Sequence, residues 1–451
     1  MLDTALIQKF YGVYLANRDK YLEIERYYNG FTDAMEKYKM QTERSNLKVH
    51  TNFLKKFIKE EVSYSVGNDI TYISKSSDEK IIKIINEHFS NLSTQHDIEL
   101  MKTMLKFNKA YELYYIDEDG EFKAKVISPL EGFLIKENNN IVAFGREYIS
   151  RGREDTTYLD IYTNDAIFHY KVGEEYILTG KSQSNIFGFV PVGVAQLGFS
   201  DYSWCELVND GVYDNSIYDT LFYDIKYLQD AYETNVSDLT NEISDFRNAY
   251  LTIVGGQLDE TLIKDMKKLG ILQSNSSDTK FEWLIKNLKS DFIQENLSNL
   301  EDKMYQISSH INHNEKMQSN LSGLALRSRL ISLEEKCKLN QRGLTDCIRV
   351  RLKALFTWLN ILQGTKYDWK DIKIKFTPNI PQDDLSAAQI IGQLGDKLST
   401  ETGLSLLSFV ENPVNEAKKA KEEQQETIDN LPPMHNDNLE VSNNSGGNNV
   451  K

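Results

Sequence analysis

Three groups of residues have types and spacings that could do chemistry. Thr179-Gly180-Lys181-Ser182 is the ending of a phosphate-binding loop. Such a loop needs a second glycine five residues before Gly180, so that backbone N–H groups can cradle phosphate. The residue there is Glu175, whose carboxylate repels phosphate, and Gly173 lies two residues too early. The flanking sequence is strand-rich, so a turn between strands is expected. His310 and His313 form the second group, with Glu315 as the only carboxylate close by. A metal centre needs more converging ligands, so both are read as polar helix-end and loop residues. Cys205, Cys337 and Cys347 have no zinc-like spacing, and neither G-x-S-x-G nor H-E-x-x-H occurs. Carboxylates are abundant, yet no spacing singles out a two-metal nuclease cluster. The expectation is no catalytic residue, no metal and no cofactor.

The third group suits binding. Residues 312–323 read NHNEKMQSNLSG, between two strongly helical segments. A turn between helices needs only a few residues, so this loop is either slack or a working surface. Asn312, His313, Asn314, Gln318, Ser319 and Asn320 offer weak hydrogen bonds, and Lys316 offers a strong one. The helix expected over about 322–360 carries eight basic residues against three acids. Lys338, Arg342, Arg349 and Lys353 share one of its faces by spacing. That face has two readings, contact with DNA phosphates or a solvated face with intersubunit ion pairs.

The elements that must position these residues fall into an order. DKYLEIERYYNG reads as a helix ending at Gly30, and HTNFLKKFIKEEVSYSVGNDITY as a helix stopping at Gly67 before a short strand. From about residue 110 the period changes to that of a β-rich meander, with a hairpin turn at Asp119-Gly120 and another around Asn138 to Asn140. Helices resume before 248, and two acidic ones flank a small α/β insert. The first carries Asp230, Glu233, Asp238, Glu242 and Asp245; the second carries Asp291, Glu295, Glu301 and Asp302. Leu239, Ile243 and Phe246 on one, and Ile293, Leu297, Leu300 and Met304 on the other, are spaced three or four apart as packing seams. IKIKFTPNIPQD reads as a late strand, 384–417 as a small helical cap, and the tail from 418 as disordered. The fold class is α+β, predominantly helical.

The chain has 451 residues and a formal charge of -15. That balance argues against a simple nucleic-acid coat, which needs local positive charge. It leaves room for a protein that lets DNA slide past. No apolar run is long enough to span a bilayer, and MLDTALIQKFYGVY lacks the layout of a signal peptide.

Four stretches together resemble the portal proteins of tailed bacteriophages, in the branch of siphophages and prophages of Gram-positive hosts. NLKVHTNFLKKFIKEEVSYSVGNDITY is similar to that family's N-terminal block of asparagine, apolar helix and Y-x-x-G-x-x-I. FGFVPVGVAQL resembles its F-G-x-x-P-V strand, although the family often continues with an acidic, Asn-rich stretch where this chain has VGVAQLGFS. LQDAYETNVSDLTNEISDFRNAYLTIVG resembles its D-A-Y … S-D … N-x-x-x-D-F-x-x-A-Y-L helix and strand. LSGLALRSRLISLEEKCKLNQRGL resembles its S-G-x-A-L-x-x-x-L-x-x-L-E start of a long helix.

The resemblance implies a non-enzymatic subunit of a ring of about twelve copies at one capsid vertex. Double-stranded DNA would pass through the ring during packaging and ejection. The implied partners are a terminase large subunit, the major capsid or scaffolding protein and a head-completion adaptor, with no membrane. The implied division is 1–224 wing, 225–248 and 288–310 stem, 249–287 clip, 311–323 tunnel loop, 324–383 long helix and strand returning to the wing, and 384–417 crown. The subunit would reside in the virion, and in host cytoplasm during assembly. Two other readings stay open, a metal-dependent nuclease of the packaging apparatus and a non-portal capsid or adaptor protein.

Overall fold

The computed structural model describes residues 3–39, 45–138, 140–151, 155–173, 176–198, 215–246, 250–254, 280–284, 290–312, 323–378, 384–407, 410 and 416–423. It divides into two units, Met1–Asn379 and Ile380–Lys451.

The first unit opens with three helices, α1 (Thr4–Tyr28), α2 (Asp33–Lys37) and α3 (Phe53–Val66). The α1 helix gives way at Asn29, and Gly30 follows with a φ of 87°, a left-handed conformation that glycine adopts at no steric cost. Asn52 caps α3 by accepting the Lys55 N–H at 3.0 Å. After β1 (Thr71–Ser74) come α4 (Glu79–Phe89) and α5 (His96–Phe107). The meander then runs through β2 (Lys109–Ile116), β3 (Phe122–Ile127), β4 (Gly132–Glu137), β5 (Asn140–Ser150), β6 (Thr156–Thr163), β7 (Ala166–Lys171), β8 (Ile177–Leu178), β9 (Gln183–Ser184) and β10 (Val192–Gln196).

These strands form two sheets. One has the order β10-β2-β3, and the other runs β4-β5-β6-β7-β8 with β9 also on β7. Both expected hairpins are present, with Gly120 and Asn138 at positive φ. Thr179–Ser182 joins β8 to β9 as an exposed turn, so no helix follows it. Alternation along β5 and β6 produces two working faces. Ala143, Leu159 and Ile161 face α1 through Ile7, Tyr11 and Tyr14. Phe144 and Tyr162 face the smaller sheet through Tyr111, Leu113 and Ile127.

The chain continues through α6 (Leu221–Phe246), β11 (Tyr250–Val254), β12 (Lys280–Leu284), α7 (Ser290–Ser308), α8 (Gly323–Gln363) and β13 (Ile372–Lys375). β11 and β12 pair with each other, and β13 returns to pair with β1. At about 1.5 Å per residue, the 41 residues of α8 span about 60 Å. Its middle crosses β10 with backbone almost touching backbone. A Cβ on Gly343 would sit 1.6 Å from the Gln196 carbonyl oxygen, and one on Gly198 would sit 2.2 Å from that of Leu339. Only glycine fits at either place.

The rotation of α8 is set by Arg351, the largest fully buried side chain among the described residues. Its Nε donates to Glu112 Oε1 at 2.7 Å, and its Nη2 donates to Asp97 Oδ1 at 2.6 Å. His96 Nε2 lies 2.6 Å from Glu112 Oε1, and the Tyr114 hydroxyl donates to Oε2 at 2.9 Å. Burial pushes the Glu112 carboxyl up, but Arg351, His96 and Tyr114 outweigh it and hold the pKa at about 2. The sequence reading placed Arg351 among the charges of a basic helix; in the structure it is core.

In the second unit, α9 (Asp384–Leu394) is followed by α10 (Thr400–Leu404), capped by Ser399. Residues 416–423 are helical, so order extends past 418, where the composition turns to that of a disordered tail; residues 424–451 lie outside the described residues.

Replacing Arg351 by Leu leaves Glu112 charged and buried. The expected cost is about 3–5 kcal/mol in urea unfolding. The exposed Arg342→Ala on the same helix is expected to cost under about 0.5 kcal/mol.

Candidate functional site

The most concentrated polar chemistry in the first unit lies along α6. Gln229, Glu233, Ser237 and Asn241 recur every four residues and are all buried. Beside them runs the extended segment 45–52. The Leu47 N–H donates to Asn241 Oδ1 at 2.7 Å, the Val49 N–H to Ser237 Oγ at 3.0 Å and the Thr51 N–H to Glu233 Oε1 at 2.8 Å. Two residues of extended chain advance about 6.8 Å, and four residues of helix about 6 Å. The near match lets every second amide meet one helical turn, in antiparallel register. Asn241 also donates Nδ2 to the Leu47 carbonyl at 2.8 Å, so it treats Leu47 as a neighbouring strand would. The Thr32 hydroxyl donates to Glu233 Oε2 at 2.5 Å. Burial raises the Glu233 carboxyl above its ordinary range, against the lowering by Thr32 and Thr51.

This strap changes the reading of the acidic helix. Glu233 binds the strap, Asp230 accepts from the Tyr27 hydroxyl at 3.0 Å, and Asp238 accepts from Tyr38 at 2.8 Å. Three of the five acids thus meet the N-terminal region of the same chain. The expected apolar seam is partly made. Leu297 and Met304 of α7 are buried; Ile293, Leu300 and Leu239 are half-buried; Ile243 remains 57% exposed. The Phe246 side chain lies outside the described residues.

α7 ends in a buried knot. His310 Nε2 lies 3.0 Å from the Phe57 carbonyl and Nδ1 lies 2.8 Å from that of Ser308. Its ring stacks on Phe57 with centroids 4.5 Å apart. A neutral imidazole has a single N–H, so it serves one carbonyl at a time. Burial, helped by the nearby Lys336 charge, pulls the His310 pKa down to about 3. Lys336, on α8, pairs with the buried Glu61 of α3 and also donates to the Ser308 carbonyl at 3.2 Å. Asn340 Nδ2 donates to Glu61 Oε2 at 3.2 Å. The last residue of α7's tail and the early part of α8 are therefore tied to one helix, α3.

Between these ties lies the polar loop. Asn312 donates to Asp302 Oδ1 at 3.2 Å. His313, Asn314, Lys316, Gln318, Ser319 and Asn320 lie outside the described residues. Among the described residues, no group of three or more His, Cys, Asp or Glu is placed to hold a metal ion, and no helix is long and apolar enough to cross a membrane.

The basic face of α8 is real but largely answered within the chain. Lys338 pairs with Glu334 at 2.6 Å and Arg349 with Asp346 at 3.4 Å, both exposed. Lys353 Nζ sits 3.9 Å from the centroid of the Phe189 ring. Arg342 is exposed. Sequence reasoning missed the α6 stripe and Glu61, and it read His310 as a polar helix-end residue without its burial. A four-residue repeat of polar side chains was the available signal for the stripe.

A family model described as phage portal protein, SPP1 Gp6-like, matches residues 8–430. Solved structures with similar folds include one titled as the virion of a native gene transfer agent particle. It is 11% identical, at a TM-score of 0.44, covering 78% of this chain and 88% of that one. A chain from the neck of an empty particle, computed with C6 symmetry, is 11% identical at 0.45, with the same coverages. A chain from the neck of a native particle, computed with C12 symmetry, is 12% identical at 0.42, covering 78% and 89%. No curated protein sequence matches the chain.

Two outcomes are expected. Asn241→Ala should cost about 0.5–1.5 kcal/mol, because it removes both hydrogen bonds to the Leu47 backbone; hydrogen exchange should speed up at the Leu47 amide more than at Val49 or Thr51. A folded pKa of about 3 for His310 against about 6.5 unfolded means that the unfolded state binds more protons between those values. Stability should fall as pH drops from 6.5 toward 3, by up to about 1.4 kcal/mol per pH unit. His310→Gln should make that fall shallower in urea titrations at pH 7, 6 and 5.

Proposed function

The chain belongs to the phage portal protein family, SPP1 Gp6-like, and is a portal subunit that helps form the channel at a capsid vertex; we propose that its loop 311–323 is the part that meets DNA in that channel. The observation that carries this reading is the knot at the loop's base. His310 precedes the loop and Lys336 follows it, and both are bound to α3. Both flanks of the loop are thus held to the same helix.

On this reading Asn312, His313, Asn314, Gln318, Ser319 and Asn320 exchange weak hydrogen bonds with passing phosphates. Lys316 supplies the one strong contact, so a ring of loops touches DNA without gripping it. The acids of α6 and α7 that do not face the strap line the wall above it. α6 and α7 form the stem, β11 and β12 belong to the clip at 249–287, and residues 1–224 form the wing. The segment 324–383 returns to the wing, and 384–417 is the crown.

The subunit works in a homo-oligomeric ring of about twelve copies. It sits in the virion and assembles in host cytoplasm. It takes up double-stranded DNA and docks a terminase large subunit, capsid or scaffolding protein and a head-completion adaptor. It performs no catalysis itself. The face of Lys338, Arg342, Arg349 and Lys353 is a solvated one rather than a DNA contact, a reading favoured by the partners that Lys338, Arg349 and Lys353 already have within the chain.

Negative-stain microscopy and mass photometry of the purified protein test the assembly. Rings of about a dozen subunits with an axial hole are expected. A compact dimer that cleaves DNA with Mg²⁺ would replace this reading with that of a nuclease.

A further inference from the structure

The two sheets of the meander part at one end and leave a cleft of about 520 Å³. Its lining brings Lys125 of β3 together with Arg146 of β5 and His169 of β7. Strand register places Arg146 opposite Asp160, and Asp160 opposite His169. These residues therefore form one polar row across the large sheet. The next row inward is Phe144, Tyr162 and Ile167. The row thus stands at the mouth of the apolar layer between the sheets.

The row is unfinished. Arg146 Nε and His169 Nε2 are both buried without a hydrogen-bond partner. Leaving a buried polar group unmatched costs about 1–3 kcal/mol, and here two occur in one cleft. His169 Nδ1 lies 2.6 Å from Asp160 Oδ1. Nδ1 therefore donates there, while Nε2 is enclosed beside the cleft. Burial lowers the Lys125 pKa, and the Arg146 charge lowers it further, with Glu131 opposing. Two cations thus repel each other across the cleft, with Asp160 and Glu131 as the carboxylates that offset them. The walls are aromatic, with Tyr115, Tyr162 and Phe187 among them.

We propose that this cleft binds a small organic anion, a phosphate monoester or carboxylate carried on a planar apolar body. The anionic head would meet the outer nitrogens of the Arg146 guanidinium and Lys125 and so relieve their repulsion. The planar body would lie against Tyr115 and Tyr162. The site is built from the meander alone and does not depend on how the α6–α7 hairpin and the loop at 311–323 are read.

Phenyl phosphate is the probe, titrated calorimetrically into the full-length protein. Saturable binding with one site per chain and a Kd below about 1 mM is expected. Phenol and inorganic phosphate should each bind at least about tenfold more weakly, because each lacks one half of the recognition. Arg146→Gln should weaken phenyl phosphate at least about tenfold. Lys125→Gln, on the other sheet and exposed, should weaken it as well, and it guards against misfolding of the first variant. Absence of saturable binding to the wild type, or equal affinity in wild type and Lys125→Gln, would overturn the site and leave a water-filled gap between sheets.

Discussion

A guanidinium that is 1% exposed and a carboxylate that is fully buried hold this subunit in register. The Arg351–Glu112 pair is only favourable when complete, since either charge alone in the core is costly. Completion fixes how far α8 is rotated and where along its axis it meets β2 and α5. Gly343 and Gly198 fix how closely it approaches β10. A helix of about 60 Å pinned at its middle then transmits that position toward its first residues, where the polar loop joins it. Lys336, on the near side of the pin, repeats the device with Glu61. The position of the first turns of α8 is thus inherited from buried charge well away from them.

The strap on α6 solves a related problem. A helix that leaves the body of a protein needs its inner turns anchored. Apolar packing resists sliding weakly, whereas hydrogen bonds at matched repeats resist it strongly. Each slip of the strap along α6 would unmake the Leu47, Val49 and Thr51 contacts together. This geometry makes the base of the α6–α7 hairpin stiff and leaves the far end, near Ile243, less covered. It also means that net acidity overstates how much of α6 presents negative charge to its surroundings.

Much of the fold was legible from periodicity. The end of α1 before Gly30, the β2–β3 hairpin and the order of α6, β11, α7 and α8 follow from patterns that local chemistry enforces. What escaped was tertiary. Gln229, Glu233, Ser237 and Asn241 look like a solvated face, because a polar residue bound to an extended backbone is indistinguishable in sequence from one bound to water. Arg351 looks like its neighbours Arg349 and Lys353, since nothing local tells which cation of a helix turns inward. The four stretches that resembled the portal family do have a spatial meaning. The first lies along the third as strap on helix, and the second lies against the fourth as β10 on α8. Each pair is a contact that neither stretch reveals alone. The loop residues from His313 to Asn320 lie outside the described residues.

The central functional claim is that this loop meets DNA. A photo-crosslinking amino acid placed at Lys316, in particles stalled during packaging, tests it most directly. The account predicts a covalent adduct with DNA from position 316, and none from the exposed Lys181 in the turn between β8 and β9. An adduct from position 181 with none from 316 would contradict it.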